Sequence, residues 1–228
     1  MSDKPLDVVA VVGSLHTPSK TAALVDAIIE SLGRSLPIDV HVIRLHELGP
    51  ALAGALRRDE LPSDAELELR AIERADLLVV ATPVYRASFT GLFKHLFDFV
   101  EQYALVDTPV LLAATGGSER HALILEHQLR PLFGFFQALT LPLGVYAHDS
   151  DFVDHRVASP LLLERIDNAI RRGLPLIRSS VAERARIERT LDDGGEDAPA
   201  TVHPSAPSSR GGAGEQPAAA ERPVRLYT

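Results

Sequence analysis

The sequence predicts an α/β domain built on an open, doubly wound parallel sheet of five strands. Short apolar runs rich in Val, Leu and Ala alternate five times with stretches whose apolar residues recur at helical spacing, as successive βα units of a right-handed parallel sheet require. Several of these runs are continuously apolar, as in strands covered by helices on both faces. Three of them end in polar loops bearing Gly or Pro, at 13–21, 82–88 and 115–118. Ligands of such sheets sit in the crevice beyond the carboxyl ends of the strands.

The run Leu6 to Val12 is the first strand, ending at Gly13. From Lys20, the positions Ala23, Leu24, Ala27, Ile28 and Leu32 share one helical face as far as the stop signal at Gly33. Ile38 to Leu45 alternates only in part, which places the second strand nearer a sheet edge. Ser63 with Glu66 three residues on forms a capping box, and the helix it opens runs to Arg74. Asp76 introduces the third strand, Leu77 to Ala81. Thr90 begins a helix with Leu92, Phe93, Leu96, Phe97 and Val100 on one face, and Pro109 opens the strand Val110 to Ala114. A helical stretch from Arg120 to Ala138 contains Pro131, whose missing N–H and clashing ring predict a break or kink. Thr140 to Tyr146 is the fifth strand. Ser159-Pro160 starts the last helix, with proline at the tolerated first position. A pocket made by the loops after strands one, three and four suits the flavodoxin-like strand order 2-1-3-4-5 with helices on both faces.

The 228 residues fit one domain plus extra chain. No apolar run reaches the roughly 20 residues of a membrane span, and the N-terminus lacks the apolar stretch of a signal peptide. Cysteine is absent, which removes disulfides, thiol nucleophiles and thiolate metal sites. A cytoplasmic protein is expected. The net charge of −8 argues against nucleic acid as a partner. Beyond Thr190 the chain turns to Asp, Gly, Pro, Ala and Ser with scarcely a large aliphatic until Leu226, too little apolar surface to offset ordering entropy. The expected organisation is a flavodoxin-like domain over 1–182 and a disordered tail over 183–228.

The first loop offers the hydroxyls of Ser14, Thr17, Ser19 and Thr21 and the charge of Lys20, just where a helix begins. A helix N-terminus with its positive dipole end suits a phosphate, and Gly13 lets the backbone turn at the strand end. Lys20-Thr21 invites comparison with a Walker A loop, but Ser19 replaces its second glycine and the spacing is off by one. In the second loop Pro83 stiffens the backbone. There Tyr85 can lie along a ring or donate a hydrogen bond, and Arg86 can meet a phosphate or a neighbouring subunit. Gly116 and Gly117 allow close backbone approach to a ring edge. The three loops together point to flavin mononucleotide. Hydride chemistry would belong to that cofactor, in keeping with the lack of an evident acid, base or nucleophile triad. The cluster His148, Asp149, Ser150, Asp151, Asp154 and His155 lacks calcium-loop spacing and reads as a solvated loop. His121 and His127 lack the i, i+4 spacing of helical zinc ligands, so no metal is expected.

The block Ala81-Thr82-Pro83-Val84-Tyr85-Arg86-Ala87-Ser88 and the segment Leu112-Ala113-Ala114-Thr115-Gly116-Gly117-Ser118-Glu119-Arg120-His121-Ala122, followed by Leu125 to Phe133, resemble the NAD(P)H-dependent FMN reductases. The similarity is to the small reductases that feed alkanesulfonate and methanesulfonate monooxygenases, and it spans residues 6 to 175. It implies a flavin reductase using NADH or NADPH, with FMN as substrate or weakly held cofactor, a homodimer or homotetramer, and a partner monooxygenase of organosulfur metabolism. Ser14, Thr17, Ser19, Lys20 and Thr21 match the family's phosphate loop, although arginine is common at the position of Lys20. Pro83, Val84, Tyr85 and Arg86 match its second flavin loop, and Thr115, Gly116, Gly117 and Ser118 its third. His127 falls where alkanesulfonate-type members insert a tyrosine in a π-helix at the tetramer interface, which implies an interface role. The rival readings are an FMN-containing quinone or azo reductase and a non-enzymatic flavodoxin-like electron carrier.

Overall fold

The structure, a computed structural model, describes residues 4–192. Residues 1–189 form one compact unit, and the second unit, 190–228, falls almost entirely outside the described residues. Most of the tail expected over 183–228 therefore lies outside them too.

Four parallel strands carry the domain: β1 (Leu6–Val12), β2 (Ile38–Arg44), β3 (Leu77–Pro83) and β4 (Pro109–Gly116). A fifth position is filled in two pieces, β5 (Leu139–Thr140) and β6 (Val145–His148), both pairing with β4, so the order is 2-1-3-4-5. The doubly wound character is visible in the side chains. Val9 and Val11, Leu78 and Val80, and Val110, Leu112 and Ala114 point into one core. Their alternates Val8, Ala10 and Val12, Leu77, Val79 and Ala81, and Leu111 and Ala113 point into the other. Strand alternation thus feeds two buried layers from one sheet.

On one face lie α2 (Leu45–Leu52), α3 (Ser63–Arg74), α4 (Gly91–Asp98) and α5 (Arg130–Phe135). On the other, α1 (Lys20–Gly33) and α6 (Pro160–Asp192) pack through Leu24, Ile28, Leu32, Leu162, Ile166, Ile170 and Ile177. β2 is an edge strand with a half-buried alternating pattern, and a two-stranded antiparallel ribbon, β7 (Phe152–Val153) with β8 (Arg156–Val157), precedes α6. No helix among the described residues is long and apolar enough to cross a membrane.

Several expectations need correction. Leu45 leaves β2 and opens α2, an element the periodicity does not mark. The capping box at Ser63 does not form: Pro62 takes the cap position without a side-chain bond. Glu66 turns instead to Arg58, whose Nε and Nη2 donate to it at 2.9 and 3.0 Å. The fifth strand is interrupted because Pro142 has no N–H for the ladder. Four residues, 141–144, there oppose only 111 and 112 of β4.

The helix expected over 120–138 is a 3₁₀ turn at Glu119–His121, then a π-helical turn at Leu125–Leu129 that leads into α5. The irregularity expected near Pro131 is there: the π-helical turn ends at Leu129, and Pro131 sits in the first turn of α5. The wider turn before it accommodates a ring that would clash with a regular helical carbonyl. α6 runs unbroken past residue 182 to Asp192.

Candidate functional site

The carboxyl ends of β1, β3 and β4 lie side by side in the sheet, so their three loops meet at one rim. Direct bonds join them. Gly13 N–H donates to the Ala81 carbonyl at 2.7 Å, and the Thr90 hydroxyl donates to the Gly13 carbonyl at 3.2 Å. A methyl group on Gly13 would stand 2.9 Å from both the Ala81 oxygen and the Phe93 ring. The first loop therefore needs glycine there for close packing, not for a left-handed backbone.

The first and third loops are joined by the Thr21 and Thr115 hydroxyls, 2.7 Å apart and both buried. The second and third are joined by Val84 N–H, which donates to the Thr115 carbonyl at 2.8 Å. Tyr85 and Ser88 exchange backbone bonds of 2.8 and 3.1 Å across a two-residue turn. At its tip Arg86 and Ala87 take φ of 50° and 68°, left-handed backbone that is uncommon outside glycine and recurs at ligand clamps. Ser88 Oγ donates to Gln128 Oε1 at 3.2 Å and so ties this loop to the π-helical turn. His127 stands at the middle of that turn and is exposed.

The thirteen residues singled out in the three loops all fall at this rim, though several hydroxyls already have partners. Ser19 caps α1, its Oγ accepting Ala22 N–H at 3.2 Å. Ser14 Oγ donates to the His16 carbonyl at 3.0 Å and shapes the loop. Thr17 is exposed. Of the first-turn N–H groups, that of Ala22 is taken by this cap, and those of Lys20 and Thr21 remain for an anion. Pro83 closes β3, and Tyr85 presents its ring to solvent, 42% exposed.

The third loop is also packed tightly from within. A methyl on Gly116 would meet the Tyr146 hydroxyl at 2.5 Å and His121 Nδ1 at 3.3 Å, so packing alone requires glycine there. Tyr146 O–H donates to the Ser118 carbonyl at 2.6 Å and holds the loop down. Burial, with Asp149 and Glu119 nearby, pushes the Tyr146 phenol above its ordinary range against the opposing Ser118 bond. His121 Nδ1 is buried without a hydrogen-bond partner, an unspent polar atom beneath the loop. A methyl on Gly117 would lie 3.1 Å from Asp149 Oδ2, and Lys20 Nζ donates to Asp149 Oδ1 at 2.9 Å.

Sequence reasoning thus missed Thr90, His121, Tyr146 and Asp149. Thr90 was legible only as a helix start, and Asp149 sat in a cluster weighed for metal. Within that cluster Asp151 accepts from the backbone N–H of His148 at 2.9 Å and from Arg165 of α6 at 2.7 Å, and the His148 ring bonds to Ser150.

An anion-ready helix terminus, a glycine edge backed by an unspent imidazole nitrogen and a clamped turn with an exposed tyrosine fit a phosphate-bearing planar ligand. The comparisons agree. A family model for NADPH-dependent FMN reductase matches residues 6–152. The chain is 57% identical to the NADH-dependent FMN reductase SfnF of Pseudomonas fluorescens, over 81% of this chain and 98% of that protein. It is 58% identical to the NADH-dependent FMN reductase SfnE of Pseudomonas putida, over 79% and 97%. Among solved structures, an oxidoreductase from Corynebacterium diphtheriae superposes with a TM-score of 0.68 at 36% identity, covering 75% of this chain and 96% of that one. The apo form of the NADH:FMN oxidoreductase EmoB gives 0.66 at 30% identity, covering 75% and 88%.

Proposed function

The chain belongs to the NADPH-dependent FMN reductase family, and from that premise we infer that it oxidises NADH or NADPH at the expense of FMN and passes reduced FMN to a partner monooxygenase of organosulfur metabolism. The observation that best supports a flavin site at the rim is the joining of the three loops through Thr21, Thr115 and Val84, which makes one surface out of three strand ends. The partner rests on the resemblance to reductases that feed sulfonate monooxygenases.

FMN, when bound, supplies the ring that takes up a hydride from the nicotinamide. The residues of the chain bind and orient. In this reading the first turn of α1, with Ser14, Thr17, Ser19, Lys20 and Thr21, holds the phosphate end. Pro83, Val84, Tyr85 and Arg86 line one side of the ring, and the backbone of Thr115, Gly116, Gly117 and Ser118 meets its edge. Tyr146 and His121 support that edge from below. No side chain need act as acid or base, because a hydride moves without a proton carrier.

His127 and the π-helical turn belong in this reading to a contact between subunits of a homodimer or homotetramer. The exposure of Leu123 and Phe135, 60% each, on the same segment supports that assignment. The protein is taken to work in the cytoplasm.

The purified full-length chain, mixed with NADH or NADPH, should lose absorbance at the nicotinamide band only when FMN or riboflavin is added. No flavin-dependent oxidation with either nucleotide would overturn the reading. Steady turnover of a quinone without free flavin would transfer it to the quinone reductases.

A further inference from the structure

Asp149 stands where the proposed phosphate end of the site would be crowded by a second anion. Its Oδ1 accepts from Lys20 Nζ at 2.9 Å, and its Oδ2 lies 3.1 Å from the place a Gly117 side chain would take. One carboxylate therefore spans the seam between the first and third loops. The position is built rather than casual. Asp149 opens the turn Asp149–Asp151 directly after β6. Asp151 fixes that turn by accepting from His148 N–H and Arg165, and the His148 ring bonds to Ser150.

Lys20 is the one charged side chain among the loop residues matched to phosphate, and it is already engaged by a carboxylate. A phosphate arriving at the N-terminus of α1 must share or displace that partner, and it meets like charge in doing so. The effect is confined to flavins that carry phosphate.

We propose that Asp149 is a specificity-determining residue that weakens the hold of the site on the flavin phosphate, so that FMN behaves as a substrate that leaves rather than as a resident group. The proposal rests on the reading of the first loop as the phosphate site. The carboxylate neutralises Lys20 when the site is empty and competes for it when FMN arrives.

The test uses the full chain and measures dissociation constants for FMN and riboflavin by flavin fluorescence in the wild type, D149N and K20M. D149N should bind FMN about three- to fivefold more tightly, the scale of a half-exposed charge interaction, and riboflavin unchanged. K20M should weaken FMN alone. Equal shifts for both flavins in D149N, or weaker FMN binding, would overturn the proposal and make Asp149 a support for the loop or for Lys20. If K20M and the wild type each bind FMN and riboflavin alike, the phosphate reading of the loop fails first, and the proposal falls with it. Melting temperatures of both variants identify any loss due to misfolding, and D149S then replaces D149N in the same comparison.

Discussion

A methyl group on Gly116 would arrive 2.5 Å from the Tyr146 hydroxyl, while every other neighbour is at 3.3 Å or beyond. The conflict is with one oxygen, which makes it separable. G116A should destabilise the fold by about 1–3 kcal/mol, as overpacking does, and should raise the KM for FMN by shifting the third loop. Y146F alone should lose about 1 kcal/mol through the bond to Ser118. In the double variant the clashing oxygen is gone, so the combined loss should be smaller than the sum by about 1 kcal/mol. Strict additivity in urea melts would refute the steric account. Ala87 offers the opposite case. Its φ of 68° suits glycine, and A87G should stabilise by about 0.5–1 kcal/mol, read as a higher midpoint in the same melts. Neither feature was legible in the sequence. Gly116 could be recognised as a glycine at a strand end, but its reason lies in the hydroxyl of a tyrosine on another strand. The turn at Arg86-Ala87 carries no glycine to announce it.

Among the elements, the first four strands and α1, α4 and α6 are legible because their signals are local: continuous apolar runs, a 3.6-residue stripe, a Thr90 cap that accepts Phe93 N–H at 3.3 Å. What was missed is non-local. Glu66 stands at capping-box spacing from Ser63, yet Arg58, outside the helix, takes its carboxylate. The same guanidinium reaches Glu73 and the Phe99 carbonyl and so ties α3 to the end of α4. A bidentate guanidinium outcompetes a cap bond worth about 1 kcal/mol. The Arg58 bond holds Glu66 below the usual carboxylate range. A carboxylate with a depressed folded pKa contributes stability above its unfolded pKa of about 4.3 and loses it as the pH falls through the lower folded value. R58M should therefore cost about 2 kcal/mol near pH 7, where Glu73 and Glu66 are left charged and partly buried. The gap between variant and wild type should narrow toward pH 3. A gap that is constant with pH would mean that Arg58 acts by packing alone.

At the scale of the whole molecule the sheet has a chemical end and a structural end. The carboxyl ends of β1, β3 and β4 carry the loops. The amino ends of β3 and β4 are held by α6, through Arg184. Its guanidinium donates to the Ala75 carbonyl at 3.0 Å, to Asp76 Oδ1 at 3.3 Å and to Thr108 Oγ1 at 3.0 Å. Asp76 in turn accepts Asp7 N–H at 3.0 Å, and Ser180 Oγ donates to the Asp107 carbonyl at 2.7 Å. The composition changes only beyond Thr190, and the expected boundary at 182 falls short of Arg184. A latch made by one arginine inside a polar helix has no compositional signature. A chain ending after Val181 loses the latch but keeps all three loops. It should melt several degrees below a chain ending after Asp192, on the scale of about 2–4 °C per kcal/mol for a domain of this size. Its dissociation constant for FMN at 15 °C should be unchanged. The point variant R184M should reproduce most of the loss. Equal melting temperatures for the two truncations would show that the domain ends at the expected boundary of 182. A parallel loss of flavin affinity would show instead that the two ends of the sheet are coupled.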